Sequence, residues 1–149
     1  MLKLGIHVGV GNDGFAGSND SANLIWEMDI AAKLQKVTQM DPTVVSAEQA
    51  LEMATIGGAR VLGMDKEIGS LEPGKRADLI TVSLAPPNAV PLYNVYSQII
   101  YASQAADVED VFINGRQIVS SRRVLTLNAM EIRRKAEEFQ RQIAASLKH

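Results

Sequence analysis

The chain has 149 residues, 46% of them hydrophobic and 21% charged, with mean hydropathy near zero, which fits one soluble globular domain or a piece of a larger one. A net charge of −2 and a pI near 5.7 give no overall attraction for nucleic acid or an anionic membrane. The absence of cysteine excludes disulfides, thiolate metal sites and cysteine nucleophiles, and neither a membrane-length apolar run nor a signal-peptide pattern is seen, so a cytoplasmic setting is expected.

Leu2, Leu4, Ile6, Val8 and Val10 alternate with Lys3, Gly5, His7 and Gly9, the period of a β-strand. A core-grade strand this close to the start reads as the middle of a domain. A glycine-rich turn over 11–20 follows, and its Ser18, Asn19 and Asp20 are all suited to capping a helix. Leu24, Ile25, Met28, Ala31, Ala32 and Gln35 fall at helical spacing, so an amphipathic helix is predicted over 21–39, ended by Asp41-Pro42. A second helix is predicted from Ser46, with Ser46 and Gln49 spaced as a capping box and Gly57-Gly58 interrupting it. A boundary is expected near 63–67, where the texture changes from helical to β.

Residues 68–71 and 77–84 read as strands joined by the turn Glu72-Pro73-Gly74-Lys75. Three prolines make 85–94 irregular, and 95–102 suits either a short helix or a strand. Residues 108–113 and 116–119 flank Asn114-Gly115, a strong hairpin signal. Asn128 and Glu131 then fit a capping box that opens a terminal helix with Ile132, Ala136, Phe139, Ile143 and Leu147 in one stripe.

Gly9-Val10-Gly11-Asn12-Asp13-Gly14 matches G-x-G-x-x-G, the dinucleotide-binding pattern. That pattern also needs a second strand ending in an acidic residue ~20 positions on. Here the stretch 31–37 reads as helix, which argues against it. Asp13 is the more informative residue. Strand parity sends Gly5, His7, Gly9, Gly11 and Asp13 to one face and Ile6, Val8 and Val10 to the other. A carboxylate at the C-terminal end of a strand, beside glycines that leave room, is how (β/α)8 barrels place functional groups. The same residue also suits a plain Asp-Gly turn, and spacing alone favours that plainer reading.

The segment Val10-Gly11-Asn12-Asp13-Gly14, followed by Ser18-Asn19-Asp20, resembles the last barrel strand and loop of the amidohydrolases. The resemblance is strongest toward the branch of chlorohydrolases and methylthioadenosine/S-adenosylhomocysteine deaminases. It continues through Ala50-Leu51-Glu52-Met53-Ala54-Thr55 and Gly58-Ala59-Arg60. Its most specific stretch is Ile68-Gly69-Ser70-Leu71-Glu72-Pro73-Gly74-Lys75-Arg76-Ala77-Asp78-Leu79-Ile80, and Pro91-Leu92-Tyr93-Asn94 and Val108-Glu109-Asp110-Val111-Phe112-Ile113-Asn114-Gly115-Arg116 fit as well. Two positions differ: Asn12 stands where a threonine is usual, and Gln98 where a histidine is common.

The resemblance implies an α/β fold. It consists of the last strand–helix unit of a TIM-like (β/α)8 barrel over 1–64, the C-terminal part of a small β-sandwich over 65–127, and a closing helix over 128–149. It implies that Asp13 approaches a catalytic zinc or iron and handles the proton of metal-bound water, and that Ser18 and Asn19 lie in the substrate loop. The parent activity so implied is hydrolysis of a small molecule, above all deamination of a purine-related heterocycle. The family's other metal ligands are histidines on earlier strands. This chain has only His7 and His149, and along a strand His7 would stand roughly 20 Å from Asp13. The isolated chain is therefore expected to bind no metal and to be inactive. The alternatives are a non-catalytic interaction module or a subunit complementing a separate chain, and unpaired edges would favour a homo-oligomer. Arg133-Arg134-Lys135 beside Glu137 and Glu138 reads as a solvated face, so no nucleic acid and no membrane partner is expected.

Overall fold

The computed structural model describes residues 1–14 and 21–147. Helix α1 (Leu24–Gln39) is capped by Asn23, whose side chain accepts from the Trp26 N–H at 3.3 Å. The expected caps Ser18, Asn19 and Asp20 lie outside the described residues. Helix α2 (Ala47–Ala54) opens with the expected capping box: the Ser46 hydroxyl accepts from the Gln49 N–H, and the Gln49 side chain accepts from the Ser46 N–H. Helix α3 (Ile56–Val61) follows after a break at Thr55. Helix α4 (Val95–Tyr101), capped by Asn94, resolves 95–102 in favour of helix. Ile25, Met28 and Ala32 of α1 meet Val45, Ala47 and Ala50 at α2 and Ile100 of α4 in one core. Ala32 and Ala50 have no exposed surface, and their small side chains let the helix axes approach closely.

The strand expected over 2–10 does not form. Leu2–Leu4 is a single 3-10 turn closed by Gly5 at φ 69°, and residues 6–14 belong to no ladder. Alternating side chains make a chain able to be a strand, but a strand also needs a neighbour for its N–H and C=O groups. Among the described residues no strand lies beside it. The segment instead crosses α2 and α3, tied by the Val10 N–H to the Met53 carbonyl at 3.0 Å. Ile6 is 50% exposed, while Val10 packs against the core.

Gly57-Gly58 does not interrupt the helix either, since both glycines lie inside α3. They serve close approach. A Cβ on Gly57 would meet the Glu52 carbonyl at 2.8 Å and the Val8 carbonyl at 3.2 Å, and one on Gly9 would meet Gly58 Cα at 3.1 Å. The space beside Gly9 is thus filled by helix backbone, whereas Gly11 has open space around it.

Strands β1 (Leu79–Val82), β2 (Val108–Ile113), β3 (Arg116–Ser120) and β4 (Arg123–Val124) form one antiparallel sheet in chain order. The β2–β3 hairpin turns at Asn114 and Gly115, with φ of 50° and 76°, the left-handed pair a type I′ turn requires. The strand expected over 68–71 does not form: 68–70 are bends and 71 is irregular. Gly69 sits there at φ 91°, with Ile56 and Ala59 pressed against it, and that conformation cannot continue a pleat. β1 is shorter than the expected 77–84, and β4 had no signal in its sequence. Helix α5 (Ala129–Ser146), capped by Asn128, has no buried residue.

Candidate functional site

Asp13 lies in irregular chain and not at a strand end, three residues beyond the Val10–Met53 tie. It is exposed, and its carboxylate Oδ1 accepts from the Gly14 N–H at 2.6 Å, a local turn contact. Asn12 fixes the chain next to it. The Asn12 side-chain amide donates to the Ser21 carbonyl at 3.2 Å and to Glu27 Oε1 at 3.3 Å, joining the two ends of the glycine-rich turn to the first turn of α1. This anchor was not foreseen, because its partners lie 9 and 15 residues away and no local pattern marks them.

Ser18 and Asn19 lie outside the described residues, as does His149. His7 is exposed and lines a groove of about 240 Å³ with Glu52 and Arg60, which are themselves paired at 2.9 Å. Among the described residues, no group of three or more His, Cys, Asp or Glu side chains that could hold a metal ion comes together. A catalytic zinc takes three protein ligands, and the sequence holds two histidines and no cysteine. The donors that the described residues bring together therefore do not make a complete zinc or iron site.

Two further polar clusters turn out to be architectural. The Ser70 hydroxyl donates to Glu72, and Lys75 Nζ donates to the Ser70 oxygen at 2.6 Å and pairs with Glu72 at 3.1 Å. These contacts, led by the Ser70 hydrogen bond, hold the Glu72 carboxyl below its ordinary range. A serine beside a lysine has the look of a nucleophile pair, but the Lys75 ammonium is occupied by a carboxylate and the cluster closes the turn into β1. Asp78 Oδ1 accepts from the Asn114 N–H at 2.6 Å, fastening that turn to the hairpin. In the sheet, Asp110 accepts from the Ser121 N–H at 3.1 Å, Thr81 Oγ1 at 3.0 Å and Gln117 Nε2 at 3.0 Å. The Ser121 N–H foremost, then Thr81, lowers the Asp110 pKa.

Residues 1–118 match the amidohydrolase family. The fold, with this match over most of the chain, makes the protein a member of that family. It is 45% identical over 148 residues to 5-methylthioadenosine/S-adenosylhomocysteine deaminase 1 of Syntrophus aciditrophicus, covering 99% of this chain and 33% of the relative. A deaminase of the same name from Desulforudis audaxviator is 45% identical over 147 residues, covering 99% of this chain and 34% of the relative. The chain spans about a third of the length of the curated relatives it matches. Among solved structures, a zinc-bound adenosine deaminase from Xanthomonas campestris superposes with a TM-score of 0.91 at 35% identity, over 97% of this chain and 33% of that one. Zinc-bound atrazine chlorohydrolase from Arthrobacter aurescens gives 0.82 at 29% identity, over 92% of this chain and 30% of that one.

Proposed function

We propose that this chain carries the C-terminal portion of a metal-dependent hydrolytic deaminase acting on an adenosine-type nucleoside. The observation that carries the reading is the 45% identity to methylthioadenosine/S-adenosylhomocysteine deaminases over almost the whole chain. In this reading Asp13 is the carboxylate the chain contributes to the catalytic centre, able to approach a cation or accept a proton, and Ser18 and Asn19 belong to the loop facing the substrate. The centre's zinc or iron and its histidines come from elsewhere. Residues 1–64 then correspond to the end of a TIM-like barrel, 65–127 to part of a β-sandwich and 128–149 to a closing helix, in a cytoplasmic enzyme. No helix of the described residues is long and apolar enough to cross a membrane.

The test is a chimera. The first two-thirds of the Syntrophus relative, joined to this chain, should release ammonia from 5-methylthioadenosine, S-adenosylhomocysteine or adenosine. Asp13→Asn should lower kcat by at least about a thousandfold while zinc content is retained. The isolated chain with added zinc should release none. A folded, zinc-loaded chimera that leaves all three substrates intact would overturn the reading. So would an Asp13→Asn chimera as active as its parent.

A second reading, a subunit complementing a separate chain, is favoured by the exposed apolar stripe of α5 and by segment 6–14, which joins no strand ladder among the described residues. It predicts that the same two-thirds of the relative, co-expressed as a separate chain, binds this one.

A further inference from the structure

The backbone just before Asp13 is tied to two elements far from it in the chain. The Val10 N–H donates to the Met53 carbonyl of α2 at 3.0 Å, and Gly9 lies against the backbone of α3. Beyond that tie, the Asn12 amide nitrogen serves two acceptors at once, the Ser21 carbonyl at 3.2 Å and Glu27 Oε1 at 3.3 Å. Chain connectivity does not replace this clamp. Residues 13–20, extended, would reach roughly 27 Å, so the covalent path to α1 by itself leaves Asp13 wide freedom. Glu27 is a firm anchor. It is half-buried in the first turn of α1, between the core residues Ile25 and Met28, where the helix N-terminus favours its charge. Ser21 is held as well, its hydroxyl accepting from the N–H of the capping residue Asn23 at 3.1 Å. The residue type at position 12 matters, because an asparagine amide carries two N–H groups on one nitrogen, a hydroxyl carries one and a carboxylate none.

We propose that Asn12 and Glu27 form a positioning pair that sets the place of the Asp13 carboxylate relative to α1 and α2. The inference rests on the reading of Asp13 as the carboxylate this chain gives to a deaminase, and adds two residues that act through it. A shift of the Asn12 backbone carries the next residue with it, and a displacement of about 1 Å at a reacting group can cost about a hundredfold in rate.

Two measurements test the pair. In the isolated chain, where no activity is needed, the backbone amide order parameter of Asp13 should lie near about 0.8 and fall below about 0.6 in Asn12→Ala, with those of α1 unchanged. In the active chimera with the Syntrophus relative, Asn12→Ala should lower kcat per bound zinc about ten- to a hundredfold. Asn12→Asp, equal in size but without a donor, should lose at least as much, and Glu27→Gln, which keeps an acceptor, should lose less than Glu27→Ala. In an Asp13→Asn background, Asn12→Ala should cost less than about threefold, because a pair that acts through Asp13 then has nothing left to position. The same factor in both backgrounds would mean a general loss of structure and would overturn the proposal. So would an unaltered kcat in Asn12→Ala, or an Asp13 order parameter that is already below about 0.6 in the parent or does not fall in Asn12→Ala. An inactive parent chimera removes the deaminase reading alone, and the order parameters then decide whether the clamp holds Asp13.

Discussion

Replacing Gly57 by alanine is expected to destabilise the chain, although glycine to alanine inside a helix ordinarily helps. Intrinsic propensity favours alanine by about 1 kcal/mol. Against this, the new Cβ would lie 2.8 Å from the Glu52 carbonyl oxygen and 3.2 Å from that of Val8, whereas ordinary contact begins near 3.4 Å. Both obstacles are backbone and cannot rotate aside. The α2–α3 break must open by about 0.6 Å to go from 2.8 to 3.4 Å, or the segment holding Val8 must lift off. Overpacking of this kind costs about 1–3 kcal/mol, and with two backbone contacts the upper half of that range applies. Subtracting the propensity gain leaves a net loss of about 1–2 kcal/mol. Gly11→Ala is the matched control: open space surrounds it, so it should be neutral or stabilise by up to about 1 kcal/mol. Urea denaturation followed by circular dichroism measures both. A Gly57→Ala midpoint at or above that of the parent would refute the close approach of Glu52 across the α2–α3 break and of Val8 to α3.

Ile100→Ala removes a side chain that is 1% exposed at the meeting of three helices and should cost about 2–5 kcal/mol in the same assay. Asp110 has a folded pKa below its unfolded value. The stability it contributes is therefore present above the ordinary aspartate range and is lost as pH falls through the lowered value. Asp110→Asn should flatten the acid limb of a stability-against-pH curve, and an unchanged limb refutes the assignment. The exposed stripe of Ile132, Phe139, Ile143 and Leu147 on α5 should drive self-association of the isolated chain, since a few hundred Å² of apolar surface covered at ~25 cal/mol per Å² is worth several kcal/mol. Light scattering on a dilution series should show dimer giving way to monomer, Phe139→Glu should favour monomer, and a parent that is monomeric throughout contradicts the idea.

The parts of this fold that were legible in the sequence are those set by nearest neighbours. Ser46 with Gln49, the Asn128 cap and Asn114-Gly115 each fix backbone geometry within four residues, and each forms where the chain indicated, although Asn128 only accepts from the Glu131 N–H and does not complete the capping box. Features that depend on what lies alongside were not legible. Alternation over 2–10 cannot say whether a partner strand is present, and Gly57-Gly58 looks the same as a helix breaker and as a contact surface. The Asn12 anchor and the Asp110 hub join residues far apart in the chain. Asp13 is a further case: its spacing reads as well as a turn as it does as a site, and only family resemblance singles it out.

The hairpin turn bears on how the protein ages. Asn-Gly is the dipeptide most prone to spontaneous deamidation, in which the glycine nitrogen attacks the asparagine side-chain carbonyl. Here the Gly115 N–H donates to the Ala77 carbonyl at 2.9 Å, and the Asn114 N–H is held by Asp78 at 2.6 Å. The attacking nitrogen is therefore engaged, and the turn cannot swing into the geometry of ring closure without releasing the end of β2. Stored preparations should accumulate isoaspartate at this site slowly while the sheet is intact and quickly once it is unfolded, so peptide mapping for a one-dalton gain at Asn114 doubles as a clock for the integrity of the sheet.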